Sequence, residues 1–234
     1  MSDMIATENY VDGATNDRIA TELYANPAEG VAGRIATEDW VDANPSSAFP
    51  VPEIVTDEVT GSSGTSDLPG SIVAGDLIMI IIGYASANVG LNLPGGWTAI
   101  VNATTTNGLI VCYKFAAGGE TGFAWSTGNG TSRTITSWAA KFNGTAHAST
   151  PPAAGAAEWD PPSLNPANWD VEKTLWLATG YPTNAYSTGF GLYQFVNNGL
   201  RVCGKEEEVA SQDPSTMSSP TDNWQATLAI RPAA

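Results

Sequence analysis

Leu77-Ile78-Met79-Ile80-Ile81-Ile82-Gly83-Tyr84-Ala85 is the stretch on which the fold turns. Successive side chains of a strand point to opposite faces, so a run that is apolar at every position predicts a strand buried on both sides. The run from Leu77 to Ile82 is far shorter than the ~20 residues a membrane-spanning helix requires. Outward from it, Pro94-Gly95-Gly96 predicts a turn into a strand over Trp97–Ala103. Leu109–Phe115 sets Leu109, Val111, Tyr113 and Phe115 against Ile110, Cys112 and Lys114, the alternation of a half-buried strand. Gly118-Gly119 leads into Gly122–Thr127, and Gly128-Asn129-Gly130 into Arg133–Asn143, where Trp138, Ala140 and Phe142 share one face. A Pro/Ala-rich excursion from Gly144 to Trp169 follows. Strands resume at Val171–Gly180, around Gly189–Cys203 and at Trp224–Arg231. Some eight short strands, Gly-containing turns and no convincing helix predict a mainly β protein, a sandwich or barrel.

Composition agrees. Of 234 residues only 14% are charged, against about 25% in an average soluble domain. The net charge of −15 disfavours nucleic acid and anionic membrane surfaces as partners, because both attract Lys/Arg-rich faces. Met1-Ser2-Asp3-Met4 has neither the basic nor the apolar region of a signal peptide. Two cysteines, Cys112 and Cys203, make no disulfide framework and point to a reducing compartment. In strands they read as small buried apolar groups, able to pair only if those strands are neighbours.

Little in the sequence supports catalysis. His147 is the only histidine and lies in a small-residue loop without a nucleophile motif. No metal-ligand spacing occurs. Glu206-Glu207-Glu208 offers oxygens to a hard cation, but a charge run of this kind is ordinarily a solvated turn. The expectation is no enzyme, no catalytic residue, no metal and no cofactor. A glycan-degrading site built from two carboxylates is the enzymatic fallback.

Residues 1–60 hold 12 acidic and 2 basic side chains, while seven of the eight Trp lie after residue 60. The acidic segment repeats itself. Ile5-Ala6-Thr7-Glu8-Asn9-Tyr10 recurs as Ile19-Ala20-Thr21-Glu22-Leu23-Tyr24 and as Ile35-Ala36-Thr37-Glu38-Asp39-Trp40. Each Thr is placed to cap a short helical turn, with Glu favourably set against the helix dipole. Each copy then meets Gly13, Asn26-Pro27 or Asn44-Pro45. Turns this short are not stable alone, and one Ile and one aromatic per copy make no core. The segment therefore divides from the rest as residues 1–50, an extended piece ordered by a partner through Ile5, Tyr10, Ile19, Tyr24, Ile35 and Trp40. Residues 51–234 form the β-domain.

The aromatics are the remaining signal. Trp97, Trp125, Trp138 and Trp176 fall in strand patterns and are expected in the core. Trp159-Asp160 and Trp169-Asp170 fall in the proline-rich excursion, and Tyr181 and Tyr186 between Gly180 and Gly189. Rings beside carboxylates suit stacking on sugar faces. They suit equally the pinning of long loops onto the sandwich or the filling of a subunit interface.

Leu68-Pro69, Ala74-Gly75-Asp76-Leu77-Ile78, Pro94-Gly95-Gly96-Trp97-Thr98, Tyr113-Lys114-Phe115-Ala116, Phe123-Ala124-Trp125-Ser126 and Ala229-Ile230-Arg231-Pro232 follow one another in order. Together they resemble the small jelly-roll modules in structural proteins of tailed bacteriophages, among them fibres, spikes and capsid decorations. The Ala-Thr-Glu-x-aromatic repeats look like the N-terminal segments of phage tail-fibre proteins. The resemblance implies a jelly-roll-like antiparallel β-sandwich, assembled as a homotrimer and anchored on the virion by its N-terminus. It implies capsid or tail proteins as partners, attachment to host surface polysaccharide, and synthesis in the host cytoplasm before incorporation into the virion. It carries over no catalytic residue. The chain differs from such proteins in having no long shaft between anchor and head. A carbohydrate-binding module is the alternative reading.

Overall fold

The computed structural model describes residues 52–85, 90–104, 107–144, 151–167, 169, 173–218 and 223–231. The N-terminal repeats, with their expected helical turns, lie outside the described residues, as does His147. Among the described residues the protein is mainly β, with antiparallel sheets and no helix. The thirteen strands are β1 (Glu53–Gly61), β2 (Ser63–Asp67), β3 (Leu77–Ala85), β4 (Leu91–Asn92), β5 (Thr98–Thr104), β6 (Asn107–Phe115), β7 (Gly122–Thr127), β8 (Arg133–Phe142), β9 (Ala153–Glu158), β10 (Lys173–Tyr181), β11 (Leu192–Asn197), β12 (Leu200–Glu208) and β13 (Trp224–Ile230).

They form three sheets. The central one runs β1-β8-β3-β6-β5, the second β11-β12-β10-β13-β9, and a small one β2-β7-β4. Strand β3 occupies the middle of the central sheet between β8 and β6. Leu77, Met79 and Ile81 point to one side, where they meet Val111, Trp138, Ala140 and Phe142, and Leu175, Leu177, Val202 and Leu228 of the second sheet. Ile78, Ile80, Ile82 and Tyr84 point to the other, onto Phe123 and Trp125 of the small sheet. An uninterrupted apolar run is what a strand with two buried faces requires. The same holds for β6. Leu109 through Cys112 are all fully buried, so the half-buried reading of its alternation is corrected. Ile110 and Cys112 meet the small sheet instead of water.

Two glycines make room for tyrosine rings, Gly83 for one from the second sheet and Gly108 for its cross-strand partner in the central sheet. A Cβ on Gly83 would lie 2.3 Å from the Tyr181 ring, and one on Gly108 would lie 2.1 Å from the Tyr84 ring. Each tyrosine lies over a glycine where no other residue leaves room. Burial pushes the Tyr84 phenol up to about 12. Polar anchors close the strand ends. Asp76, immediately before β3 and buried, accepts hydrogen bonds from the amides of Val73 at 3.0 Å and Gly144 at 3.1 Å. Lys141, nearly buried, meets its cross-strand partner Glu53 at 2.7 Å and donates to the carbonyls of Gly70 and Ser71.

In the β6–β7 connection, Lys114 lies 2.7 Å from Glu120, whose carboxylate also accepts the amides of Ala117 and Gly118. The Lys114 hydrogen bond and these amides hold the Glu120 carboxyl down at about 2, against an ordinary 4.5. A depressed folded-state value stabilises the fold above pH 4.5, and the contribution is lost as pH falls towards 2.

Two predictions follow from this packing. Gly83→Ala should lower stability by about 2–3 kcal/mol by displacing Tyr181, read as a reduced denaturant midpoint at unchanged slope. The stability gap between the wild type and Glu120→Gln should be constant above pH 5 and close between pH 4.5 and 2, measured by urea titration at each pH. A gap insensitive to pH would remove the ion-paired carboxylate from the account.

Candidate functional site

The outer face of the second sheet carries the loops. Because side chains alternate, residues of β10, β12 and β13 that do not face the central sheet face outward: Trp176, Ala178, Cys203 and Ala229. Phe190, Met217, Leu164, Trp169, Tyr186 and Val209 cover them, drawn from three connecting segments. Three of the chain's cations hold that cover through the faces of aromatic rings. Arg201 lies 5.0 Å from the Tyr186 ring centre, Lys205 5.2 Å from Phe190, and Arg231 4.7 Å from Trp169.

Gln225 ties two of the segments to β13. It is fully buried, and its carboxamide pairs with both backbone groups of Met217 as a neighbouring strand would. Met217 N–H donates to its Oε1 at 2.8 Å, and its Nε2 donates to Met217 C=O at 2.7 Å. The same Nε2 donates to the carbonyl of Trp159 at 3.0 Å. Leu164 and Gln212 exchange backbone hydrogen bonds in an isolated antiparallel bridge. Thr227 donates to the carbonyl of Pro162.

The sequence-predicted glycan contacts separate on this surface. Tyr181 ends β10 inside the core, 5% exposed, packed over Gly83. Trp169 and Tyr186 are half-buried, each stacked on a cation, and pin loops to the sheet. Asp170 lies outside the described residues. Trp159 and Asp160 are the pair that faces solvent, directly after edge strand β9. The Trp159 side is 46% exposed and its φ is +70°. A bulky residue rarely adopts that backbone region. Its N–H reaches Oδ1 of Asn223 at 3.1 Å and the Asn223 carbonyl at 3.4 Å, while its carbonyl takes Gln225 Nε2. Asp160 Oδ1 accepts the Thr216 hydroxyl at 2.7 Å.

The other tested chemistry resolves plainly. Trp125, Trp138 and Trp176 are buried, and Trp97 is half-buried with its ring edge-to-face on Phe123 at 4.8 Å. Cys112 and Cys203 are both free and buried. They sit in different sheets, Cys112 facing the small sheet and Cys203 the loop cover, and burial raises both thiols. Glu206, Glu207 and Glu208 lie on β12, where strand alternation turns Glu207 to the face opposite Glu206 and Glu208. Glu206 pairs with Lys173 at 3.7 Å, and Glu207 with Lys205 and Gln212. Lys205 holds the Glu207 carboxyl below its usual range. Among the described residues no group of three His, Cys, Asp or Glu side chains is placed to hold a metal. Thr216, Asn223 and Gln225 escape sequence reading, because nothing local marks residues that meet Trp159 or Asp160 from more than 50 positions away.

With this surface in view, comparison with known protein families, with curated proteins and with solved structures gives no match to the chain.

Gln225→Leu should leave the two backbone groups of Met217 and the Trp159 carbonyl unpaired, costing about 2–3 kcal/mol. Amide hydrogen exchange at Met217 should accelerate more than exchange in β3. Equal acceleration at both would mean that the loops and the core open together.

Proposed function

We propose that the chain is a non-enzymatic structural protein of a tailed-bacteriophage particle, a trimeric fibre, spike or head-decoration protein. In this reading residues 1–50 anchor it to capsid or tail, and residues 51–234 form a jelly-roll-like head. The observation that carries the reading is the pairing order of the first eight strands. A jelly roll is a long antiparallel ribbon rolled up, so that first pairs with eighth, second with seventh and third with sixth. Here β1 pairs β8, β2 pairs β7 and β3 pairs β6, and the rungs fall alternately in the central and small sheets. The last rung departs, since two-residue β4 pairs only β7 and β5 joins the free side of β6. Jelly rolls serve as viral capsid and lectin domains. The thrice-repeated Ile-Ala-Thr-Glu-x-aromatic unit supports the anchor, since a core-poor segment gains order only against a partner. A second reading, a carbohydrate-binding module, is favoured by the solvent-facing Trp159 and is compatible with the first.

The test is incorporation. The Tyr10→Ala/Tyr24→Ala/Trp40→Ala chain should fold, retain a three-chain mass by light scattering, and be missing from purified particles. Buried interface rings typically contribute 2–4 kcal/mol each, roughly, to docking. A wild-type monomer at micromolar concentration, or normal incorporation of the triple variant, would overturn the reading.

A further inference from the structure

Among the described residues Trp159 is the exposed ring. Trp125, Trp138 and Trp176 are buried, Trp97 packs on Phe123, and Trp169, Tyr186 and Phe190 lie over cations. The indole of Trp159 is held in solvent by a left-handed backbone that hydrogen bonds fix from both sides, to Asn223 and to Gln225. Strain of this kind persists only where surroundings over-determine it, and it clusters at binding sites. Asn223 belongs to the same fixed frame. It is 1% exposed, and with its Oδ1 engaged by Trp159, its Nδ2 donor has no partner among the described residues.

We infer that Trp159, Asp160 and Thr216 form a binding site for a neutral saccharide, the C–H face of a pyranose stacking on the indole. The inference deepens the carbohydrate-binding reading above and does not depend on assignment to a particle. Three features select this ligand class. The ring stands among polar neighbours, with Glu158, Asp160 and Thr216 all exposed. The other exposed large apolar side chains lie elsewhere: Leu192 and Val196 on β11, the opposite edge of the same sheet, Ile54 on β1, and Val73 before β3. An apolar protein contact would call for a continuous patch instead. The second feature is a hydroxyl-binding pair beside the ring. Asp160 Oδ1 is engaged by Thr216 Oγ1, and its Oδ2 takes no hydrogen bond from the described residues, so it accepts a sugar hydroxyl. The third is charge. Glu158 and Asp160 adjoin Trp159 in sequence, and six of the seven described Lys and Arg are tied to a carboxylate or a ring, while Arg133 donates to the Ser132 carbonyl. Uronates, sialic acids and nucleotides would meet uncompensated negative charge there. Pre-organisation of the ring lowers the ordering cost of binding.

The test uses the full chain with lactose, cellotriose, maltotriose and chitotriose as neutral probes and trigalacturonate as the anionic one. The Trp159 indole N–H resonance, assigned by its absence in Trp159→Gly, should shift saturably with at least one neutral probe. Glycine relaxes the positive φ, so this variant should fold at least as well as the wild type. Its affinity for that probe should fall by about tenfold or more, with Asp160→Ala giving a smaller loss. Trp159→Gly should enter particles normally, which keeps failure here distinct from failure of the virion assignment. No shift with any of the four neutral probes, tighter binding of trigalacturonate, or undiminished binding by Trp159→Gly would overturn the proposal. So would a change in oligomeric state on removing the ring, which would make a second copy of the chain its occupant.

Discussion

A sheet whose two faces are both apolar cannot stand at a surface, and that constraint organises this protein. Strand β3 has no polar face to offer water, and its neighbours β6 and β8 are buried over most of their length. Burying each such Leu or Ile is worth about 1.5–3 kcal/mol, so leaving either side open would forfeit several of these contributions. Two further layers are therefore obligatory. The chain supplies the small sheet from strands interleaved with the central ones, and the five-stranded second sheet from β9 to β13. The covering layers differ in their own needs. The second sheet is itself apolar outside, at Trp176, Cys203 and Ala229, so it requires a cover of loops. Each layer's outer face sets the demand that the next segment meets.

Layers stop adding where polarity or geometry intervenes. Strand β1, an edge of the central sheet, carries Glu53, Asp57 and Glu58, and charges on an edge discourage another chain from pairing with it. Strand β11, an edge of the second sheet, is bulged between Leu192 and Phe195, with Tyr193 at φ +53°. A bulge breaks the regular ladder that a further strand would extend. The loop cover closes the stack without exposing another apolar face, because polar side chains finish it: Gln225 on Met217, Thr227 on Pro162, and cations on rings.

How much of this was legible follows from where each signal resides. The Leu77–Ala85 run carries both faces of β3 in its own residues, and the strand with its double burial is read directly from it. Trp138, Ala140 and Phe142 on one face of β8 likewise needed only local alternation. Burial of the even positions of β6 depends on the small sheet, whose strands are short and polar, so its alternation reads as half-exposed. Strand β9, Ala153-Ala154-Gly155-Ala156-Ala157-Glu158, has almost no strand propensity. It forms because β13 offers it a paired register from Ala229 to Trp224, a fact written some seventy residues away. The hairpin at Asn198-Gly199, with both residues at positive φ, did have a local signal in its Asn-Gly turn between two apolar runs. Among the loop aromatics, the sequence marks rings beside carboxylates but not which ring finds a cation. Only the fold brings Arg201 to Tyr186 and Arg231 to Trp169, buries Tyr181 over Gly83, and so leaves Trp159 as the exposed one of these rings.

Scarcity of positive charge links the packing to the surface it leaves behind. The chain has 9 Lys and Arg against 24 Asp and Glu. In the described residues six of the seven cations work inside the domain, and Arg133 donates to the adjacent Ser132 carbonyl. Lys114, Lys141 and Lys173 neutralise Glu120, Glu53 and Glu206, Lys205 meets both Glu207 and Phe190, and Arg201 and Arg231 hold Tyr186 and Trp169. An ion-paired cation contributes little outward field, so the acidic excess dominates the exterior. Stability and recognition thereby draw on the same few residues. Using Arg201 and Arg231 to fasten loops removes the groups that phosphate, sulfate or carboxylate ligands would need. What stays available around Trp159 is chemistry without positive charge: hydroxyls, carboxylates and one fixed indole.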